Sequence, residues 1–239
     1  MDNVSELLSG AIAADPTRPQ LTYYDDGTGE RTELSGATLA NWVAKTANLL
    51  VDGLGLGQGD RALVLLPPHW QTAAVLLGCW SAGLSVVLTC PPGGGTEPVA
   101  EVAFVAAGRA DEVTVGDRYA LGLHPLGLPL REVPPGYQDF SVEVRAFGDR
   151  FGGVRVRDQG ALCADAARRA AEWGIGAGDR VLVDAASHPD PVDWLLAPLA
   201  AKATTVLCGH LDPDRVAARV ATERVTRVMG QPRPWSRPL

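Results

Sequence analysis

Three polar side chains that could bind a small ligand lie within five residues of one another: Asp184, Ser187 and His188. They end or follow a short apolar run, residues 180–184, which predicts a buried strand. Open α/β sheets bind ligands at the carboxyl ends of their parallel strands. A carboxylate, a hydroxyl and an imidazole in that position can hydrogen-bond a ligand, so we interpret this turn as pocket lining. The alternative interpretation is that His188 only caps the helix that follows it.

Hydrolytic and metal-dependent chemistry fit the sequence poorly. Ser187, His188 and Asp184 are too close in sequence to form a Ser-His-Asp triad, and no G-x-S-x-G elbow occurs. There is no H-x-E, C-x-x-C or H-E-x-x-H motif, and the four cysteines lie far apart. We therefore expect no bound metal and buried, reduced thiols.

The composition narrows the function classes further. The 239 residues are 46% hydrophobic and carry a net charge of −7 with no basic face, which argues against nucleic-acid binding. No apolar run reaches the roughly 20 residues of a membrane helix, and the acidic start does not resemble a signal peptide, so we expect a cytoplasmic protein. The only lysines are Lys45 and Lys202, which excludes any mechanism that needs a lysine elsewhere.

An internal repeat organises the chain. Residues 55–88 align without a gap on residues 174–207 at an offset of 119, and 13 of the 34 pairs are identical. Both copies contain a Gly-x-Gly-x-Gly-Asp-Arg turn before an apolar run, and His69 pairs with His188. Because both copies keep a histidine there, the repeat favours the structural alternative for His188.

Each copy predicts the same succession of elements. Apolar side chains at spacings of three and four predict helices, and the short apolar runs between them predict parallel strands joined by right-handed crossovers. The fold class is therefore α/β. The first copy predicts helices over 39–50, 70–83 and 97–108 and strands over 61–66, 85–89 and 112–115; the second predicts helices over 162–173, 190–202 and 212–223 and strands over 180–184, 204–208 and 225–229. A hairpin over 20–24 and 30–34 and a strand over 140–147 complete the prediction.

The sequence resembles the N-terminal part of the adenylate-forming enzymes, which include acyl-CoA synthetases, luciferases and adenylation domains. The resemblance rests on the hairpin, the Gly-Asp-Arg turn before each strand and the "SAGLSVVLTCP" and "VTRVMGQP" segments. It implies two α/β lobes with parallel sheets, related by a pseudo-twofold axis. We predict a first lobe over 1–120 that includes the hairpin, a joining segment over 121–157 and a second lobe over 158–239. The high arginine content resembles that of short actinobacterial members of this superfamily.

The phosphate loop departs from the family pattern. Family enzymes carry a Ser/Thr/Gly-rich loop that ends in Pro-Lys-Gly, whereas residues 145–154 read "RAFGDRFGGV". Asp149 would place a negative charge where a triphosphate should bind, and phosphate loops use backbone N–H groups and positive charge. Arg150 could offset part of that charge, and we include it among the candidate ligand-binding residues.

These departures lead to an expectation for function. The family's adenine, Mg²⁺ and ribose motifs and its C-terminal domain would lie beyond the segment ending at Leu239. We therefore expect a truncated, catalytically inactive homologue without ATP or Mg²⁺ that binds a partner protein, a second copy of itself, or a small acyl or nucleotide-like ligand. The resemblance implies that a histidine or aromatic residue at the position of His188 lines the acyl or acceptor pocket. The alternatives are a divergent adenylate- or acyl-binding enzyme and a subunit completed by another chain.

Overall fold

The computed structural model describes residues 3–88, 100–154, 156–157 and 159–230, and it is a mixed α/β structure with two mostly parallel sheets. The helices are α1 (Val4–Ile12), α2 (Gly36–Asn48), α3 (Trp70–Ser81), α4 (Phe140–Glu143), α5 (Gly160–Glu172), α6 (Ala197–Ala200) and α7 (Val216–Thr222). The strands are β1 (Pro19–Asp25), β2 (Glu30–Ser35), β3 (Arg61–Leu65), β4 (Ser85–Val87), β5 (Val102–Ala106), β6 (Asp117–Leu121), β7 (Gln138–Asp139), β8 (Arg180–Asp184), β9 (Thr204–Gly209) and β10 (Arg227–Val228).

The described residues form two compact units, each built on one five-stranded sheet. The unit from the middle of the sequence, called the central unit, comprises the described parts of 40–67 and 71–157, and its sheet has the all-parallel order β4-β3-β5-β6-β7. The unit from the flanking parts of the sequence, called the outer unit, comprises the described parts of 1–39, 68–70 and 158–239, and its sheet has the order β10-β8-β9-β1-β2. Only the β1–β2 pair of this second sheet is antiparallel.

The predicted hairpin is confirmed as β1 and β2, but its sheet differs from the prediction. β1 pairs in parallel with β9, where Tyr23 lies opposite Leu207, so the hairpin extends the outer unit's sheet and does not join the first lobe. Most of β1 is buried, and a buried strand needs a neighbour along each of its edges. The compact units follow this pairing and therefore differ from the consecutive segments 1–120, 121–157 and 158–239.

The repeated Gly-Asp turn has the same hydrogen bonds in both units. The Gly57 amide donates to the Asp60 carboxylate at 2.7 Å, and the Gly176 amide donates to the Asp179 carboxylate at 2.8 Å. Each aspartate amide also donates to the carbonyl of the glycine three residues earlier, at 3.1 Å. The repeat thus marks the turn that leads into β3 in the central unit and into β8 in the outer unit.

Three predicted elements are wrong. In the predicted helix 97–108, residues 102–106 form the strand β5, and residues 97–99 lie outside the described ranges. A 3₁₀ turn (Ala107–Glu112) replaces the start of the predicted strand 112–115. Val102 to Val105 are fully buried between β3 and β6, and a short continuous apolar run cannot be assigned to helix or strand by periodicity alone.

The predicted strand 140–147 is also helical, because α4 and a 3₁₀ turn (Val144–Ala146) occupy that span. The Asp139 carboxylate accepts a 2.7 Å hydrogen bond from the Ser141 amide and so caps the start of α4. The repeat-based prediction of the last helix, 212–223, is confirmed by a 3₁₀ turn (Pro213–Arg215) that runs into α7.

Candidate functional site

A cavity of about 530 Å³ opens in the outer unit at the carboxyl ends of β8 and β10. Its polar lining consists of Asp184, Ser187 and His188, the three side chains that the sequence placed at a strand end. Leu182, Val216 and Met229 contribute to its apolar walls. The volume lies in the range of small-molecule pockets, and an apolar cavity with a few polar groups is their usual chemistry.

The turn after β8 fixes the three polar residues relative to one another. Asp184 accepts a 3.1 Å hydrogen bond from the Ala186 amide on one carboxylate oxygen, and the Ser187 hydroxyl donates to the other. The His188 amide donates to the Asp184 carbonyl at 3.0 Å. These local bonds hold the carboxylate, hydroxyl and imidazole at the end of the strand, where the sequence predicted them.

His188 is positioned by an aromatic stack and has one ring nitrogen available. Its ring stacks on Trp173 with the centroids 5.1 Å apart and the planes 27° apart. Its Nε2 atom is buried and has no hydrogen-bond partner among the described residues. A Cβ atom added to Gly230 would lie 3.6 Å from Nε2, so this ring edge faces another residue of the cavity lining. Gly230 itself has a φ of +79°, which a residue with a side chain rarely adopts.

The two repeat-related histidines have different environments. His69 is buried against Tyr23 in an edge-to-face contact with the centroids 4.5 Å apart, and its Nε2 lies 3.6 Å from the Glu30 carboxylate. His69 therefore packs inside the outer unit, whereas His188 lines the cavity. The repeat does not make the two residues equivalent in role.

Arg150 does not join the other predicted site residues. It is exposed in the central unit and is not among the residues that line the cavity. The Asn48 side chain donates to the carbonyls of Gly148 and Arg150, each at 2.9 Å, and the Lys45 ammonium donates to the Phe147 carbonyl at 2.6 Å. Lys45 and Asn48 thus hydrogen-bond the segment that corresponds to the phosphate loop, and the sequence analysis selected neither residue as a site residue. The rarity of lysine in this chain was the one signal that could have drawn attention to Lys45.

A charged cluster that the sequence did not predict joins the hairpin to α7 in the outer unit. Arg219 donates to both carboxylate oxygens of Asp26 at 2.7 and 3.0 Å and lies over the Tyr24 ring at 4.1 Å. The Arg219 hydrogen bonds hold the pKa of Asp26 down to about 2. Burial raises the pKa of the neighbouring Cys208 thiol to about 11, which keeps it protonated at neutral pH. The cluster stabilises the helix that carries part of the cavity wall.

The described ranges contain neither a metal-ligand cluster nor a helix that could span a membrane. No group of three or more His, Cys, Asp or Glu side chains there could hold a metal ion. None of the described helices is long and apolar enough to cross a membrane.

Comparisons with known proteins give the chain its family. Residues 9–107 match the model of the AMP-binding enzyme family. The chain is 45% identical over 246 residues to a TIGR03089 family protein of Mycobacterium tuberculosis, a match that covers 93% of this chain and 98% of that protein.

Solved structures show the same fold. An acyl-CoA synthetase of Brucella canis superposes with a TM-score of 0.74 at 20% identity and covers 95% of this chain. The N-terminal domain of FACL13 from Mycobacterium tuberculosis gives a TM-score of 0.70 at 16% identity and covers 94%. This chain spans 46% and 62% of those two structures, respectively. The chain belongs to the family of the mycobacterial TIGR03089 protein, and its residues 9–107 are similar to the AMP-binding enzyme family.

Proposed function

We propose that this chain is a binding module that holds a small ligand in the cavity at the ends of β8 and β10 and does not itself adenylate a carboxylate. The observation that carries the proposal is the Nε2 atom of His188, which is buried at a cavity of about 530 Å³ and has no hydrogen-bond partner within the described ranges. A buried polar atom without a partner is unfavourable by about 1–3 kcal/mol, and a ligand that supplies the partner removes that penalty.

The phosphate-loop counterpart supports the absence of adenylation. Residues 145–154 contain no serine, threonine or lysine, and Asp149 is exposed within them. Adenylation needs phosphate positioning and charge neutralisation in one preorganised site. Asn48 and Lys45 engage carbonyls of this loop and so use donors that could otherwise face an anion. We therefore propose that ATP and Mg²⁺ are not cofactors of this chain.

Three measurements on the full chain test this proposal. ATP–pyrophosphate exchange with short- and medium-chain carboxylates should stay at background, and ATP–Mg²⁺ should leave the thermal midpoint unchanged. Saturation-transfer NMR with uncharged fragments should show binding that His188→Ala removes and that His124→Ala, a change at an exposed histidine of the central unit, leaves intact. Carboxylate-dependent exchange, or fragment binding that is indifferent to His188→Ala, would contradict it.

One observation also supports a protein partner. Leu126 and Leu128 are 73% and 44% exposed in the central unit, and Arg145 holds the turn between them by donating to the Gly127 carbonyl at 2.7 Å. Exposed apolar side chains close together in sequence are typical of protein contacts. We propose a homodimer as the first candidate and a second polypeptide that completes an enzyme as the other. Light scattering of the purified chain distinguishes a dimer from a monomer.

A further inference from the structure

The cavity that contains His188 has a charge pattern of its own. Asp184 is the one carboxylate among its eleven lining residues, and none of the other ten is a lysine or arginine. Within the described part of the chain, no basic side chain forms an ion pair with Asp184; its oxygens accept only from the Ala186 amide and the Ser187 hydroxyl. The cavity therefore presents an unpaired negative charge.

The remaining polar group of the cavity can also accept a hydrogen bond. The His188 Nε2 atom is buried with no hydrogen-bond partner among the residues that the structure describes, and a neutral imidazole has one nitrogen that accepts. The rest of the lining is mainly apolar, with side chains such as Leu211, Val216 and Met229. A matching ligand has an apolar body and a polar end rich in hydrogen-bond donors.

We propose that this cavity selects a small amphipathic amine, whose ammonium group contacts Asp184 and whose carbon chain lies along the apolar wall. This inference rests on the proposed binding role of the cavity. An ammonium group supplies three donors and a positive charge, and charge-assisted hydrogen bonds are about twice as strong as neutral ones. A carboxylate would meet the uncompensated charge of Asp184, and like charges at close range are unfavourable.

Three probes with the same six-carbon body, hexylamine, hexanol and hexanoate, test the selectivity by isothermal titration of the full chain. We expect hexylamine to bind at least about tenfold more tightly than hexanoate, which corresponds to about 1.4 kcal/mol, with hexanol between them. Asp184→Asn keeps an acceptor for the Ala186 amide but removes the charge, so it should bring the amine-to-carboxylate ratio close to one. Asp111→Asn removes the same charge from an exposed residue of the central unit, and it should leave the amine-to-carboxylate ratio unchanged.

Each result decides the inference. Tighter binding of hexanoate, a ratio that Asp184→Asn does not change, or failure of all three probes to bind would overturn it. If Asp184→Asn does not fold, the order of the three probes on the wild-type chain still decides. If hexanoate binds best and His188→Ala abolishes that binding, the amine selectivity fails while the proposed binding role stands. If uncharged fragments also show no binding that depends on His188, the proposed binding role fails as well.

Discussion

Breaking the Asp26–Arg219 pair should release the hairpin from α7 and destabilise the outer unit. Arg219 forms a two-pronged ion pair with Asp26, and the two side chains are only 7% and 5% exposed. Removing Arg219 leaves the buried Asp26 carboxylate with only the exposed Arg215, at 3.4 Å, as a cationic partner. Breaking a buried pair destabilises a protein by about 3–5 kcal/mol. We expect Arg219→Met to lower the free energy of unfolding by about 3 kcal/mol.

The pKa of Asp26 gives a second measure of the same pair. The hydrogen bonds from Arg219 lower it from 3.8 to about 2, a difference worth roughly 2 kcal/mol at about 1.4 kcal/mol per pKa unit. Because the folded-state pKa is lowered, this stabilisation is present above pH 3.8 and is lost as the pH falls toward 2. Asp26→Asn should abolish that part of the acid sensitivity, whereas Asp111→Asn at an exposed site should leave it unchanged.

The assay is urea unfolding of both single variants and the double variant, repeated between pH 6 and pH 2. The double variant should be less destabilised than the sum of the single variants, by about 2 kcal/mol, because the second change no longer leaves a buried unpaired charge. Additive single effects, or an acid limb that Asp26→Asn does not alter, would refute the reasoning. Either result would also contradict the inference that the Asp26–Arg219 pair holds the hairpin against α7.

Three further predictions concern the central unit. Gly78→Ala should destabilise the chain by about 1–3 kcal/mol in urea unfolding, because the new Cβ would lie 2.5 Å from buried Thr46, while Gly108→Ala, in open space, should have little effect. Asn48→Ala should lower the free energy of unfolding by about 2 kcal/mol and speed amide hydrogen exchange at residues 148–150, because the carbonyls of Gly148 and Arg150 lose their hydrogen-bond donor. Unchanged exchange would contradict this prediction. Leu126→Ser should weaken self-association at least about tenfold in sedimentation equilibrium, and a wild-type chain that is monomeric at all concentrations would exclude the dimer.

Local patterns predicted much of this fold. The Gly-Asp turn before each strand depends on a carboxylate three residues from an amide, so the repeat located it correctly at Asp60 and Asp179. The helical stripes and the hairpin are likewise set by residues close in sequence. The strand β5 was wrongly predicted as helix because a fully buried strand has no polar face to show its period of two.

The parts that sequence reasoning missed depend on distant residues. The parallel pairing of β1 with β9 and the contact of Asp26 with Arg219 join positions more than 180 residues apart, and no local pattern encodes them. The rule that ligands bind at the carboxyl ends of parallel strands selected His188. The cavity is also lined by residues of α7 and by Gly230, and tertiary packing brings these next to His188. Arg150 was included by analogy with a phosphate loop, and it is not part of that cavity.

The most direct test of ligand binding in the cavity is the ¹⁵N NMR signal of the His188 imidazole during a titration with hexanol. The signal is assigned by its loss in His188→Ala, and the signal of exposed His124 provides an internal reference. We expect a saturable shift of the His188 nitrogens with no shift at His124, because the buried Nε2 atom acquires a hydrogen-bond partner. A His188 signal that does not move up to the solubility limit of hexanol would contradict it.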